Sequence, residues 1–192
     1  MKQLLKIYIG LLMKYHHRPV RAGRKILSIC IGALLFLVLL PGVLFLIADQ
    51  FGIAFSLPAA IQVPLELGSI GTGLVFLTWS AYAQLTIGGG TPAPSVPTRR
   101  LVVRGPYRYT RNPIEFGALW YYFGIGTLLG SLFHGLTCML LAFIMGTLYH
   151  KGVEERELLE RFGAAYEQYR QTTPFLIPRW KSRKHLPDEP ET

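Results

Sequence analysis

Two charged segments of opposite sign flank a long apolar stretch in the second half of the chain. The first, RRLVVRGPYRYTRNPIE from Arg99 to Glu115, contains five arginines and two tyrosines. The second follows the apolar stretch and contains Glu154, Glu155 and Glu157. Guanidinium groups pair bidentately with carboxylates, and carboxylates offset cationic groups. If the two segments meet, they form either an ion pair that clamps two helices together or a site for a ligand with separated charges.

The composition indicates a membrane protein. Hydrophobic residues make up 51% of the chain, charged residues 16%, and the mean hydropathy is +0.32. Soluble domains carry about 25% charged residues. The net charge is +9, and the lysines and arginines that produce it lie beside apolar runs. This position favours contact with membrane headgroups and argues against a groove that binds nucleic acid. Cys30 and Cys138 lie inside apolar runs and have no metal-ligand spacing, so we predict neither a disulfide nor a metal site.

The apolar runs predict an all-α integral-membrane fold with about four transmembrane helices. A bilayer-spanning helix needs roughly 20 apolar residues. The predicted spans are residues 26–48, 61–87, 114–130 and 131–150. We place them in a single domain of residues 26–192, preceded by a basic arm of residues 1–25. Residues 2–15 of that arm could lie on the membrane surface or insert into it.

The distribution of positive residues predicts the topology. Lysine and arginine are abundant in the N-terminal arm, in the loop before the third predicted span and after the fourth span. The two opposite loops, near 49–58 and near Gly130, contain neither residue. By the positive-inside rule, both termini and the long loop are predicted to be cytoplasmic. In a bacterial cell this places the protein in the inner membrane.

A site is therefore predicted on the cytoplasmic face. It would form between the loop before the third span and the helix that extends from the fourth. In that helix, Leu158, Phe162, Ala165 and Tyr169 fall on one face at helical spacing. Gly88-Gly89-Gly90 lacks the spacing and the βαβ setting of a dinucleotide fingerprint, so we predict no Rossmann fold.

The same residues carry a resemblance to a known family. GPYRYTRNP, two apolar spans, VEERELLERFGAAYEQY and a closing PFLIPR follow one another in the order found in the isoprenylcysteine carboxyl methyltransferase family. That group also includes the phospholipid methyltransferases. The upstream GGGTPAPSVPTRRLVVRGPYRY is similar to its bacterial branch. The resemblance covers roughly residues 85–180, about half of the chain.

The resemblance implies S-adenosylmethionine as cofactor, bound at the cytoplasmic mouth of the helices. Several positions would line that cofactor in the family pattern: Arg99, Arg100, Leu101, Val102, Tyr107, Asn112, Pro113, Ile114, Glu115 and Glu154. His150 falls where eukaryotic members place an arginine for a substrate carboxylate, which weakens the case for a prenylcysteine substrate. Asn112 replaces a common histidine, and Glu115 replaces an aromatic residue or methionine.

The chemistry of the residues agrees with methyl transfer. Glu154, or its neighbour Glu155, can offset the cofactor's positive groups, and Arg111 or Arg108 can pair with its carboxylate. A carboxylate acceptor needs only orientation and desolvation. An amine or hydroxyl acceptor must also lose a proton, and then His150 or Glu115 is the candidate base.

The predicted function is S-adenosylmethionine-dependent methyl transfer to a small lipophilic or lipid-like acceptor. Membrane lipids are the expected surroundings, and the sequence gives no oligomeric state. Two alternatives stay open. One is a membrane reductase of the sterol-reductase type that uses NADPH, although the glutamate pair would repel a polyanion. The other is a non-catalytic membrane protein whose arginine loop binds anionic lipid.

Overall fold

The fold is a small set of apolar helices. The structure is a computed structural model and describes residues 22–92 and 96–180. Residues 1–21 of the predicted basic arm (residues 1–25), and with them the segment 2–15, lie outside these ranges. Within these ranges every regular element is helical. The α-helices are α1 (Ala22–Leu34), α2 (Leu40–Asp49), α3 (Ala59–Thr86), α4 (Pro113–Leu129), α5 (Leu132–Tyr149) and α6 (Glu155–Thr172). Two π turns, Leu35–Leu39 and His150–Glu154, join α1 to α2 and α5 to α6.

Three helical stretches of the described chain are long and apolar enough to cross a membrane: Ile26–Asp49, Ala59–Thr86 and Leu132–Thr172. Helix α4 has 17 residues and is also apolar, but it is shorter than these three. Large apolar side chains are exposed along the first stretch, as expected for a surface that faces lipid. The prediction of an all-α integral-membrane protein is confirmed.

Pro41 determines the local shape of the first stretch. Proline has no N–H, so the Leu37 carbonyl loses the donor that an α-helix would supply four residues later. One residue earlier, the Leu40 N–H bonds to Leu35 instead of Phe36, which makes the π turn. Both released carbonyls receive hydroxyl donors from α4: Tyr121 bonds to Leu37 at 3.0 Å and Tyr122 to Phe36 at 2.7 Å. These bonds satisfy backbone groups that lipid cannot.

Glycine allows α3 and α4 to approach closely. A Cβ on Gly73 would lie 2.6 Å from the Tyr121 nitrogen and 2.7 Å from the Gly117 oxygen. One on Gly124 would lie 2.6 Å from the Ile70 side chain. Small residues at such crossings let helices pack by van der Waals contact where no hydrophobic effect drives association. This contact fixes α3 against the start of the α4–α5 hairpin.

Helix α6 leaves the membrane-spanning region in two pieces. The π turn at its start is followed by a kink at Gly163, whose φ of 52° and ψ of −125° suit only glycine. The kink interrupts the single helical face that the sequence predicts for Leu158, Phe162, Ala165 and Tyr169. Ala165 is exposed, whereas Tyr166 and Tyr169 are buried. The second piece of α6 thus turns two tyrosines toward the loop before α4.

Candidate functional site

A cleft lies where the end of α3, the loop before α4 and the start of α6 come together. Its empty space is about 510 Å³, part of it open to solvent. The lining residues come from α3, the loop before α4, the π turn and α6: Gln84, Thr98, Leu101, Val102, Tyr107, Arg111, Asn112, Glu154, Glu155, Leu158, Tyr166 and Tyr169. Residues far apart in sequence therefore share one wall.

The loop side of the cleft is built around Tyr107. Gly105, with φ of 64°, begins a 3₁₀ turn (Gly105–Arg108) that places Tyr107 in the interior. The Gln84 amide nitrogen donates to the Tyr107 hydroxyl at 2.5 Å, and the Tyr169 hydroxyl donates to the Tyr107 carbonyl at 2.7 Å. Burial, and secondarily the nearby Glu154 carboxylate, hold the pKa of Tyr107 well above its ordinary value. Tyr107 is therefore a neutral hydroxyl at physiological pH.

Arg161, on α6, bonds to the loop before α4. Its guanidinium donates to the Thr98 carbonyl and, at 2.8 Å, to the Glu157 carboxylate. Both charged side chains are 8% exposed, so the pair is shielded from water. A buried charged pair held by hydrogen bonds fixes the geometry of the groups that it joins. It places the backbone of residues 98–102 against the cleft.

The π turn positions two acidic side chains differently. His150 Nδ1 contacts the Glu154 carboxylate within this turn. Glu155, the first residue of α6, pairs with Arg111 at 2.8 Å. A π turn inserts one residue per turn and so rotates the side chains that follow it, a feature common at functional sites. Glu154 is left on the cleft wall beside Tyr107, and Glu155 is bound to the arginine loop.

Arg111 connects the loop to the segment that follows α6. Its Nε donates to the Thr173 carbonyl at 3.1 Å, and its backbone N–H donates to the Pro174 carbonyl at 2.9 Å. Asn112 donates to the Phe175 carbonyl at 2.8 Å. Residues 173–180, which we name the closing segment, thus lie across the loop. The ion-pair interpretation of the two charged segments applies to Arg111 and Glu155.

Glu115 and His150 form a second polar group inside the α4–α5 hairpin. Glu115 Oε2 lies 3.6 Å from His150 Nε2, and the Glu115 side chain is 8% exposed. Its other oxygen, Oε1, is buried and has no hydrogen-bond partner among the described residues. The carboxylate lies against Gly146 so closely that a Cβ there would overlap it. His150 therefore sits between Glu115 on the hairpin side and Glu154 on the cleft side.

The structure brings many of the sequence-predicted site residues to one place, though not all. Those on the cleft wall are Leu101, Val102, Tyr107, Arg111, Asn112, Glu154 and Glu155. Arg99, Arg100 and Arg108 are exposed side chains outside the lining. Pro113 and Ile114 are the first residues of α4 and are not in the lining, and Glu115 and His150 lie in the hairpin. Sequence reasoning did not assign Gln84, Thr98, Leu158, Tyr166 and Tyr169 to the site. The helical spacing in α6 pointed only to Leu158 and Tyr169.

A comparison with models of protein families shows which family the chain belongs to. The model of the phospholipid methyltransferases matches residues 65–165, just over half of the 192 residues. The chain belongs to the phospholipid methyltransferase family. No curated protein matches the chain. The family match and the apolar helices together make this an integral-membrane methyltransferase. The matched region of this methyltransferase runs from α3 into α6 and contains all the cleft residues except Tyr166 and Tyr169.

Proposed function

We propose that this methyltransferase uses S-adenosylmethionine to methylate a small lipophilic or lipid-like acceptor at the cytoplasmic face of the membrane. The observation that carries the proposal is the cleft itself. It brings the Glu154 carboxylate together with the Arg111 and Asn112 side chains, and it lies beside apolar helices. Separated charges next to lipid suit a zwitterionic cofactor and a lipophilic partner.

The residues of the cleft fit the cofactor group by group. Glu154 can offset the sulfonium and ammonium charges, while Arg111 and Asn112 carry N–H donors for a carboxylate. Leu101, Val102 and Leu158 supply apolar walls for a planar base. Gln84 adds a buried carbonyl oxygen, Oε1, that has no donor within the described residues. An unpartnered buried acceptor is costly, and a bound ligand would satisfy it.

The reaction requires orientation more than chemical activation. When bound, S-adenosylmethionine supplies an electrophilic methyl group, whose carbon bonds to the acceptor as the C–S bond breaks and sulfur keeps the electron pair. Holding reactants in line can contribute about 7–11 kcal/mol. In this chain, Tyr107, Arg111 and Glu154 would hold the cofactor. Glu115 would orient the acceptor and, for an amine or hydroxyl, accept its proton. His150, which lies between the Glu115 and Glu154 carboxylates, would hold Glu115 in position.

The arrangement favours this function over the two alternatives. An NADPH-dependent reductase would need to bind a polyanion in a cleft that carries Glu154 and Glu155. A protein that only binds anionic lipid would not need the buried, unpartnered oxygens of Gln84 and Glu115. The exposed Arg99, Arg100 and Arg108 suit cytoplasmic topology and contact with lipid headgroups.

Methyl transfer can be measured directly in membranes that contain the protein. With S-adenosylmethionine labelled in its methyl group, we expect label to enter the organic-extractable fraction and to be suppressed by S-adenosylhomocysteine. Membranes from the same host without the protein are the control. Equal label in both preparations would contradict the proposed lipophilic acceptor.

Gly146→Ala tests the role assigned to Glu115. The new Cβ would overlap the Glu115 carboxylate, which is the movable end of a side chain, so the carboxylate shifts while the helices stay packed. We expect methyl transfer to fall at least about tenfold, because general acid–base groups typically contribute more than that. The thermal midpoint and the affinity for S-adenosylhomocysteine should change little, since Glu115 is outside the cleft.

Gly68→Ala is the matched control, because a Cβ there meets nothing within 4 Å. It should leave methyl transfer as in the wild type. If Gly146→Ala retains full activity, then Glu115 has no part in orienting the acceptor. If instead it lowers the thermal midpoint and activity together, the effect is on packing and the assigned role is wrong.

A further inference from the structure

Gln84 lines the cleft and has a buried hydrogen-bond acceptor without a donor among the described residues. It lies near the C-terminal end of α3, and its amide nitrogen is committed to the Tyr107 hydroxyl at 2.5 Å. The other amide atom, Oε1, is buried and has no donor among the described residues. An amide held from one side can offer its free oxygen in only one direction. The lining of the cleft therefore includes a side chain with a buried, unsatisfied acceptor whose orientation is fixed by Tyr107.

The surroundings of Gln84 are apolar. Val102 and Tyr107 pack with Ala83 in one buried cluster, and Val102 and Leu101 line the cleft wall beside it. The Val102 side chain also lies close to Gly88, next to the Gln84 backbone. A flat, largely apolar group with one N–H donor at its edge matches such a wall. An ammonium or sulfonium would instead require a carboxylate.

The charged side chains of the cleft make a second group of contacts, separate from the apolar cluster around Gln84. Arg111 pairs with Glu155 at 2.8 Å and lies 3.4 Å from the Tyr166 hydroxyl, and Asn112 bonds to the closing segment. Glu154 lies between this charged group and the apolar cluster, near both His150 and Tyr107. The cleft thus has an apolar end with one acceptor and a charged end with both signs.

We propose that Gln84 Oε1 accepts a hydrogen bond from the exocyclic amine of the cofactor's adenine and so makes the enzyme selective for a 6-amino purine. This inference rests on the proposed function, since it concerns the same cofactor. Leu101 and Val102 would flank the base, and Tyr107 would act as a positioning residue by holding the Gln84 amide. A 6-oxo purine would bring an oxygen against Oε1, so the site would reject it.

The test compares S-adenosylhomocysteine with S-inosylhomocysteine by calorimetric titration of the detergent-solubilised full chain. Wild type should bind the adenosyl compound at least about tenfold more tightly, because a site built around a hydrogen bond discriminates strongly when that bond becomes a repulsion. In Gln84→Met, which keeps the length and helix propensity of the side chain, the ratio should fall toward one. Gln84→Glu keeps an acceptor and should retain the preference.

The ratio of affinities separates this inference from the proposed function. A Gln84→Met variant that binds both compounds with the wild-type ratio would overturn the role of Gln84 and leave the cofactor assignment intact. A wild-type preference for the inosyl compound would show that the amide presents its nitrogen, which also overturns it. If wild type binds neither compound, then the proposed function fails together with the inference.

Discussion

Glu154→Gln is expected to weaken binding of S-adenosylhomocysteine by about tenfold to a hundredfold, which corresponds to the loss of a charge-assisted hydrogen bond. Glutamine keeps the size of the side chain but removes the charge that faces the cleft. The Glu154 carboxylate contacts His150 and acts electrostatically on Tyr107, so it lies within the set of residues that would hold the cofactor. Isothermal titration calorimetry on the purified variant gives the affinity directly.

The matched control for this substitution is Glu160→Gln. Glu160 lies on α6, which directly follows Glu154, is exposed and does not line the cleft. It changes the net charge of the protein by the same amount, so a general electrostatic effect would appear in both variants. Equal affinities for Glu154→Gln and wild type would remove Glu154 from the proposed cofactor site.

Gly73→Ala is expected to destabilise the fold by about 2–3 kcal/mol, the upper part of the usual range for an overpacked interior. The added Cβ would meet the Tyr121 nitrogen at 2.6 Å and the Gly117 oxygen at 2.7 Å. These are backbone atoms of α4, so relief requires the two helices to move apart. That movement would also disturb Tyr121 and Tyr122, which bond to the first membrane-spanning stretch.

Gly71→Ala provides the comparison, because it lies two residues away on α3 and a Cβ there meets nothing within 4 Å. Its thermal midpoint in detergent should equal or slightly exceed that of wild type, since alanine favours helix more than glycine does. The Gly73→Ala midpoint should be lower by several degrees. Similar midpoints for the two variants would mean that α3 and α4 do not pack as described.

The membrane-spanning helices could be predicted because hydropathy depends only on composition along the chain. The proximity of the arginine loop to the acidic segment followed from the same pattern. Two apolar helices joined by the short turn at Gly130 must return to the same side, which is how Arg111 and Glu155 meet. Family membership was predicted from the motifs at both ends of that hairpin and is confirmed.

Other features of the site depend on local backbone and side-chain geometry, which the hydropathy pattern and the motifs do not contain. The helical spacing of Leu158 and Tyr169 does not contain the π turn over residues 150–154, after which Glu155 pairs with Arg111 while Glu154 contacts His150. Glu115 was predicted to line the cofactor, but it points into the hairpin because Gly146 leaves room for its carboxylate. Gln84 could not be predicted as a site residue, because a single amide near the end of an apolar helix is common. Its proposed role depends on its hydrogen bond to Tyr107, which the sequence pattern does not contain.

The central claim is that the cleft between α3, the arginine loop and α6 binds S-adenosylmethionine. Titration of the detergent-solubilised wild-type chain with S-adenosylhomocysteine and, separately, with NADPH tests it most directly. We predict saturable binding of S-adenosylhomocysteine and none of NADPH. The claim would be contradicted if S-adenosylhomocysteine failed to bind, or if NADPH alone bound.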